Sequence, residues 1–311
     1  MRQVSIIMTV YNEKEEWLRQ CLDSLLGQTY ENIEIIIVLD NHQNQQLLQV
    51  LKAYEKEHQA IKLLINDSNP GRVNSLNLAF NESKGHYIAV MDADDIAVPE
   101  RIAKSQLFLE QREYDVIFSE IDYIDENGNP FQPAGEARVI ERDKVETMMK
   151  ISNIASHPTL FARREVFERL NGYREINYCE DYDFFLRALE NDFWLGKTDE
   201  VLLHYRVRSS GISKSYALEQ FLNADFIRQK YIEGNLSKTP PAEVNQKFSK
   251  LNPKAKKNFL EAEGSYHKAL QFKREKKMGL FFFNLFKSLA NPYFLRKFKV
   301  IYRLNQEFKK L

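Results

Sequence analysis

Short apolar runs alternate with helical apolar repeats along the first 120 residues. Val4 to Met8 and Ile33 to Leu39 are β-prone runs, and apolar residues recur at helical spacing between them, from Trp17 to Leu26. Ile61 to Ile65 and Tyr87 to Met91 continue the alternation. Continuous β-branched runs are typical of strands buried on both faces of a parallel sheet. The pattern therefore predicts an α/β fold with a doubly wound, mainly parallel sheet.

The pattern becomes mixed after Asp115 and purely helical after Ser215. Further strands are predicted at Val116 to Ser119, Ile121 to Ile124, Thr159 to Ala162 and Val201 to Val207, and helices at 144–151 and 180–189. The last hundred residues predict helices that are broken near Pro241, Pro253 and Pro292. We therefore predict an α/β domain over residues 1–215 and a helical C-terminal extension over residues 216–311.

Composition narrows the class of protein. The 311 residues contain 44 basic and 44 acidic side chains, and 43% of them are hydrophobic. With 11 glycines, 9 prolines and 2 cysteines, collagen-like, disordered and disulfide-scaffold classes are excluded. Cys21 and Cys179 suit a reducing compartment. No signal peptide and no membrane-spanning segment is predicted, so a cytoplasmic protein is expected.

Charge is unevenly distributed, and the C-terminal extension is basic. Residues 240–311 contain 17 Lys or Arg residues against 5 acidic ones. The aromatic stretch Met278 to Phe286 lies between the basic segments Lys273 to Lys277 and Arg296 to Lys299. This combination suits the inner surface of an anionic membrane, although a buried helical hairpin or a dimer contact also accounts for it. No nucleic-acid-binding motif accompanies the basic residues, so no nucleic-acid partner is expected.

Three carboxylates follow the predicted strand that ends at Met91. Asp92, Asp94 and Asp95 repel one another unless a cation or hydrogen-bond donors offset their charge. Oxygen ligands of this kind suit Mg²⁺ or Mn²⁺. The alternative is an acidic turn in which Asp95 caps the next segment.

Other polar residues are expected at the same edge of the sheet. Residues 9–13 end the first strand and Asp40 ends the second, so a nucleotide diphosphate could lie across the strand ends. Asp181 is predicted at the N-terminus of a helix. Asp181 would act there either as a helix cap or as a general base that takes a proton from an acceptor hydroxyl.

Taken together, these segments resemble family 2 glycosyltransferases of the GT-A fold. The likeness covers roughly residues 3 to 210, and each piece is weak without the order and spacing of the rest. The pieces are residues 4–13, Cys21 to Tyr30, Asn69-Pro70-Gly71, Ser75-Leu76-Asn77, Lys84 to Ile88, Met91 to Arg101, His157-Pro158-Thr159, Asn171-Gly172-Tyr173 and Glu180-Asp181-Tyr182.

The resemblance implies an inverting transfer of a sugar from a nucleotide-sugar donor to a hydroxyl of a saccharide or lipid-linked saccharide acceptor. Asp94 would bind the metal ion, Mn²⁺ or Mg²⁺, and Asp92 would support the donor sugar or nucleotide. Asp181 would be the catalytic base. The product would be a bacterial surface polysaccharide such as a capsule or another cell-envelope glycan.

The resemblance also assigns a nucleotide pocket. Asp40 would accept a hydrogen bond from a pyrimidine base, which favours a UDP-sugar, with dTDP second. Arg206 and Arg208, on one face of the last strand, could clamp the diphosphate, unless they only end a surface strand. The remaining residues of the pocket would be Thr9, Tyr11 and Glu13.

This chain departs from the family pattern at two positions. The second strand commonly ends in paired carboxylates, but Leu39 takes the place of one of them. Leu76 stands where an arginine is common, and we expect the nearby Arg72 to be a solvated helix-start residue rather than a phosphate or ribose contact. His157 is expected either near the diphosphate and acceptor or as a structural histidine.

Two other classes of protein remain as alternatives. A nucleotidyltransferase also combines Mg²⁺ carboxylates with an α/β sheet, but it needs a Gly-rich phosphate loop near the first strand, and residues 11–14 contain no glycine. A non-catalytic carbohydrate- or partner-binding protein is disfavoured because the carboxylates Asp40, Asp94 and Asp181 are all present.

Overall fold

The computed structural model describes residues 1–132, 137–208 and 216–311 of the chain. Its residues form two compact units. The N-terminal unit consists of Met1–Glu146, Ile154–Glu175 and Glu180–Arg208. The C-terminal unit consists of Thr147–Asn153, Ile176–Cys179 and the described chain from residue 216 onward.

Strands and helices alternate through the first half of the chain, as the apolar pattern predicts. The strands are β1 Val4–Val10, β2 Ile33–Leu39, β3 Ile61–Ile65, β4 Tyr87–Asp92, β5 Ile96–Ala97, β6 Val116–Ile124, β7 Pro130–Gln132, β8 Phe161–Arg163 and β9 Leu195–Arg206. The helices up to residue 190 are α1 Glu15–Leu26, α2 Gln45–Glu57, α3 Arg72–Asn81, α4 Arg101–Gln111, α5 Arg142–Met149, α6 Arg164–Leu170 and α7 Glu180–Glu190. A 3₁₀ turn spans His157–Thr159.

The described strands form one mixed sheet. Its order is β3-β2-β1-β4-β8-β6-β9-β5, and β7 pairs with β6. Strands β1 to β4 pair in parallel, as do β6 and β9. Strand β8 is antiparallel to both β4 and β6. The α/β class is confirmed. Most of the parallel pairs lie among the first four strands.

The core of the N-terminal unit lies between the sheet and its helices. Six of the seven β1 residues are buried, all except Thr9, and so is most of β2. Helix α1 packs one apolar stripe against this layer, because its apolar residues recur every three or four positions. The buried residues of α1 are Trp17, Leu18, Cys21, Leu22 and Leu25.

Strand register brings the ends of β1, β2 and β4 to one edge of the sheet. Thr9 pairs with Asp92 across β1 and β4, and Val10 pairs with Leu39 across β1 and β2. The backbone N–H of Asp40 donates to the carbonyl of Val10 over 2.8 Å. The carboxyl ends of these parallel strands therefore present their polar residues together.

Strands β6 and β9 are longer than the sequence predicts. Strand β6 runs unbroken through Ser119 and Glu120, with a register shift between Phe118 and Glu120. Strand β9 begins six residues before the predicted start, at Leu195. Lys197 of β9 donates to Glu120 of β6 over 2.5 Å. Glu120 and Lys197 interrupt the apolar pattern of these two strands. They are tolerated within the sheet because each charged side chain is paired with the other.

The C-terminal unit is helical in its described residues. Its remaining helices are α8 Ala217–Ile232, α9 Pro241–Lys247, α10 Pro253–Arg274, α11 Met278–Leu289 and α12 Pro292–Phe308. Three of them begin at a proline, which lacks the N–H that the first helical turn would leave unpaired. Asn252 and Asn291 cap α10 and α12 by accepting from Lys254 and Phe294 backbone N–H groups.

A separate core holds these helices together. It consists of Ala217, Leu218, Leu222, Phe259, Ala262 and Phe294. None of the described helices is both long enough and apolar enough to cross a bilayer.

Candidate active site

Three carboxylates lie together at the end of β4. The carboxylate oxygens of Asp92, Asp94 and Asp95 are within 4.8 Å of one another. Asp94 and Asp95 are buried, and Asp92 is half-buried. Burial and the neighbouring charge of Asp92 raise the pKa of Asp94 to about 6. Burial, followed by the charges of Asp94 and Asp92, also raises the pKa of Asp95 well above its usual value.

Arg208 and Arg206 contact this cluster in different ways. Arg208 forms an ion pair with Asp94, with its Nε 2.8 Å from Oδ2. Arg206 is buried and donates from Nε to the Asp94 carbonyl over 2.8 Å and from its backbone N–H to Asp95 over 2.8 Å. Its Nη2 donates to Gln20 over 2.7 Å. Arg206 therefore holds the turn after β4 against β9, and Arg208 is the one whose side chain pairs with a carboxylate of the cluster.

The two arginines differ because β9 ends between them. Sequence alternation placed both on one strand face, but β9 ends at Arg206. Arg208 lies beyond the last strand residue, so the two-residue period of a strand no longer fixes its direction.

Arg72 connects the carboxylate cluster to helix α7. Its Nη2 donates to Asp92 over 2.5 Å, and its Nε lies 3.7 Å from Glu180 at the start of α7. Burial alone would lower the pKa of Arg72, but the charges of Asp92, Glu180 and Asp181 outweigh it and raise the pKa. Arg72 begins α3 as expected, but its side chain is 34% exposed and pairs with Asp92, so it is not a freely solvated residue.

The first turn of α7 carries three acidic residues with different surroundings. Asp183 is fully buried and pairs with Arg187 over 2.8 Å and with Arg174. Asp181 accepts from the backbone N–H of Tyr182 over 2.7 Å. Asp183 is thus a structural residue, whereas the charge of Asp181 acts on Arg72 and on Tyr173.

His157 contacts both Arg72 and Tyr173. The Nδ1 atom of His157 is 2.9 Å from Arg72 Nη2, and its Nε2 is 2.9 Å from the hydroxyl of Tyr173. Because a guanidinium only donates, Nδ1 must accept, so Nε2 carries the proton and donates to Tyr173. Burial and the charge of Arg72 lower the pKa of His157 to about 3, which keeps the ring neutral.

Asp40 lies at the end of β2 within a polar network. Its Oδ1 accepts from Ser75 over 2.9 Å and from Asn66 over 3.0 Å. Leu39, which replaces a carboxylate of the family pattern, is fully buried in the sheet core. The environment of position 39 is therefore apolar, and the carboxylate at the end of β2 is that of Asp40.

The segment after β1 lies beside the same edge. Thr9 is half-buried opposite Asp92, and Tyr11 is exposed. The backbone N–H of Tyr11 donates to Glu13 over 2.7 Å. The negative charge of Glu13 contributes to the raised pKa of Asp94, so Glu13 is near the carboxylate cluster.

The structure adds residues that sequence reasoning did not assign to the site. Arg72 and Glu180 are the additions, since Asp95 already belongs to the predicted carboxylate cluster. The signal for Arg72 was its place directly after Gly71, where the chain leaves the carboxyl edge of β3 and begins α3. Gly71 has a φ of +91°, so the turn that presents Arg72 favours glycine.

The carboxylate cluster fits a hard divalent cation. It offers only oxygen ligands, which Mg²⁺ and Mn²⁺ prefer. Among the described residues, Asp95 Oδ2 is a buried oxygen without a hydrogen-bond partner. Two buried carboxylates next to a third are costly without a compensating cation, and Arg208 supplies one such charge at Asp94.

Comparisons with known proteins point to one family. The family model described as "Glycosyl transferase family 2" matches residues 5–170. A glycosyltransferase of Methanocaldococcus jannaschii is 35% identical over 211 residues, which cover 66% of this chain and 70% of that protein. The O-antigen biosynthesis glycosyltransferase WbnJ of Escherichia coli is 28% identical over 75% of this chain and 92% of its own length.

Solved structures show the same architecture. S. aureus TarS (residues 1–349) in complex with UDP-GlcNAc superimposes with a TM-score of 0.58 at 17% identity, over 90% of this chain and 89% of that one. At this identity the likeness shows a shared fold, and the expected GT-A-type fold is confirmed.

Proposed function

The chain belongs to glycosyl transferase family 2, and from that membership we propose the following reaction. A sugar is transferred with inversion from a UDP-sugar to a hydroxyl of a saccharide acceptor during synthesis of a cell-surface polysaccharide. The similarity to an O-antigen biosynthesis enzyme supports the polysaccharide context. Within this proposal, residues 1–215 form the nucleotide-sugar-binding and catalytic domain, and residues 216–311 form the helical extension.

One observation carries the proposal. Arg72 contacts Asp92 at the end of β4 and lies 3.7 Å from Glu180 in the first turn of α7. The charge of Asp181, the next residue along, acts on the same guanidinium. The candidate donor-binding carboxylate Asp92 and the candidate base Asp181 therefore both act on one arginine, which supports a site where two substrates are held next to each other.

In the proposed mechanism Asp181 takes the proton from the acceptor hydroxyl, and the oxygen of that hydroxyl attacks the anomeric carbon of the donor sugar. The diphosphate leaves from the opposite face, so the configuration inverts. Arg72 and Arg208 are the cations nearest to the carboxylates, and both can donate to phosphate oxygens. His157 holds Arg72 in place through its neutral Nδ1.

Asp94 would hold the Mg²⁺ or Mn²⁺ ion, with Asp92 beside it to support the donor. When bound, this ion offsets the negative charge that develops on the departing diphosphate. Asp94 is paired with Arg208 over 2.8 Å. Arg208 thus contacts the proposed metal ligand, and it is also the residue proposed to contact the donor phosphates. Arg206 is assigned to hold the turn after β4 rather than to bind the donor directly.

The proposed nucleotide is UDP, with dTDP second. Asp40 would accept from the N3–H of either pyrimidine. Of the solved neighbours, TarS was determined with UDP-GlcNAc and with UDP, which favours uridine. Thr9, Tyr11 and Glu13 would line the rest of the nucleotide pocket, because they follow β1 at the edge where β4 presents Asp92.

The acceptor is proposed to be a saccharide or a lipid-linked saccharide on the cytoplasmic side of the membrane. A nucleotidyltransferase has no support from the family match, which covers residues 5–170 with a glycosyltransferase model. A non-catalytic binding protein predicts no donor turnover that depends on these carboxylates, which the following experiment tests.

The donor is identified first by thermal shift with UDP-, dTDP- and GDP-sugars, with and without Mn²⁺. The stabilising UDP-sugar then serves to measure UDP release with water as the acceptor. We expect Asp181→Asn to lower kcat by about 10²-fold to 10⁴-fold, because a general base contributes that much. Donor-induced stabilisation should remain, since Asp181 is assigned to the acceptor side.

Asp94→Asn should abolish the Mn²⁺-dependent part of the thermal shift. The matched control is Asp199→Asn, which changes an exposed carboxylate of β9 and should leave both readouts unchanged. Full turnover by the Asp181 variant would contradict the proposed base, and a preference for GDP-sugars would contradict the role of Asp40.

A further inference from the structure

Helix α11 exposes an unusual set of aromatic side chains. Phe282, Phe283 and Phe286 are 48%, 65% and 69% exposed. Positions i, i+3 and i+4 of a helix share a face, so these residues form one stripe, which we call the phenylalanine face. Exposed apolar patches of this kind mark interaction sites in soluble proteins.

The opposite side of α11 accounts for its packing within the C-terminal unit. Ser288 is fully buried, and Phe281, seven positions before it, lies on the same side of the helix. Phe281 is half-buried beside Lys273, whose Nζ lies 6.0 Å from the ring centroid. The helix therefore already has a buried side, and the phenylalanine face is not needed for that contact.

The chain on both sides of the phenylalanine face is rich in positive charge. Residues 264–311 contain 12 Lys or Arg residues and 2 Glu residues. Lys276, Lys287 and Lys299 are exposed, and none has an acidic partner within 4.0 Å among the described residues. A basic surface around exposed aromatic residues is complementary to anionic lipid head groups, whereas a second copy of the same basic surface would repel it.

We propose that the phenylalanine face inserts into the interface of an anionic bilayer, with the surrounding lysines at the level of the phosphates. The three rings would enter the boundary between head groups and acyl chains, as in other amphipathic helices that lie in the plane of a membrane. This surface belongs to the C-terminal unit, so the inference does not depend on the proposed reaction.

The experiment uses the full chain and sedimentation with vesicles. One set of vesicles is pure phosphatidylcholine, and the other contains about 30% phosphatidylglycerol. We expect wild-type protein to bind the anionic vesicles, with little binding to neutral ones and loss of binding in high salt. The triple variant Phe282→Ser, Phe283→Ser, Phe286→Ser should bind the anionic vesicles at least about tenfold more weakly.

The matched control replaces two exposed apolar residues elsewhere, Leu107→Ser and Ile232→Ser, which are 52% and 57% exposed. This control should bind as wild type does. Circular dichroism and thermal unfolding should show all variants folded, since the replaced side chains are exposed. A third variant, Lys276→Glu, Lys287→Glu, Lys299→Glu, should lose binding to anionic vesicles.

Several results would overturn the inference. These are absence of wild-type binding to anionic vesicles, equal binding by the triple phenylalanine variant, or equal loss in the Leu107 and Ile232 control. Light scattering tests the alternative, in which a second copy of the chain covers the phenylalanine face. A wild-type dimer that the phenylalanine variant converts to monomer, without vesicle binding, would assign this face to a second copy of the chain.

Discussion

At the scale of single residues, Arg72 is the side chain on which the candidate site depends. It donates to Asp92 over 2.5 Å, and its neutral partner is the ring of His157, 2.9 Å away. A charged imidazole at that distance would repel the guanidinium. The neutrality of His157 is therefore a condition for the position of Arg72.

The first prediction follows from the buried histidine. The pKa of folded His157 is lowered from 6.5 to about 3 by burial and by Arg72. As pH falls below 6.5, the unfolded chain binds a proton that folded His157 does not, so stability is lost. At pH 5 this loss amounts to roughly 2 kcal/mol, since one pKa unit corresponds to about 1.36 kcal/mol.

The measurement is urea unfolding at pH 8 and pH 5 for wild type and for His157→Gln. Glutamine can accept from Arg72 and donate to Tyr173 but does not titrate. Asp94, whose raised pKa acts in the opposite direction, contributes equally to both proteins and cancels. The pH-dependent loss should be about 2 kcal/mol smaller in the variant, and equal losses would contradict a neutral His157.

At the scale of elements, a glycine after α6 fixes the approach of helix α3. Asn77 of α3 donates to the carbonyl of Tyr173 over 2.8 Å and accepts from its backbone N–H over 2.8 Å. Gly172 has a φ of +67°, and a Cβ built on it would lie 2.4 Å from Asn77 Oδ1. This double hydrogen bond holds Tyr173, which in turn contacts His157.

We predict that Gly172→Ala destabilises the protein by about 3 kcal/mol, combining left-handed backbone strain with displacement of Asn77. The control is Gly128→Ala, which has a φ of +87° but whose Cβ would meet only Arg206 at an ordinary 3.8 Å. That variant should lose about 1–2 kcal/mol from strain alone. Equal losses in urea unfolding would show that the contact with Asn77 contributes nothing.

At the scale of the whole molecule, the C-terminal unit has its own core and an apolar surface that this core does not use. Phe294 of α12 is 1% exposed and packs within the C-terminal core, whereas Phe286 of α11 is 69% exposed. The two phenylalanines are eight residues apart. The sequence pattern does not distinguish them, because both lie in helices that contain aromatic and basic residues.

Phe294→Ala is therefore expected to lower the free energy of unfolding by about 3–5 kcal/mol, because it leaves a cavity in the core. Phe286→Ala should change it by no more than about 0.5 kcal/mol. Chemical unfolding of both variants, followed by circular dichroism, tests this difference. A large loss from Phe286→Ala would mean that the phenylalanine face is buried in solution.

The amino-acid sequence by itself determined the elements and the identity of the acidic residues. Strands β2 and β3 begin and end where their apolar runs do, and α9, α10 and α12 begin at their prolines. These features are local, because apolar period, proline and capping asparagine act within one or two turns of chain. The carboxylates at 92, 94 and 95 were likewise evident at the end of a buried strand.

Only the tertiary structure decided what those residues touch. The partners of Arg72 lie 20, 85 and 108 positions along the chain, at Asp92, His157 and Glu180. Whether Arg206 or Arg208 meets a site carboxylate depends on where β9 ends, and the exposure of Phe286 depends on which side of α11 its neighbours cover. Such contacts follow from strand order and helix packing, which bring distant segments together and which no local pattern specifies.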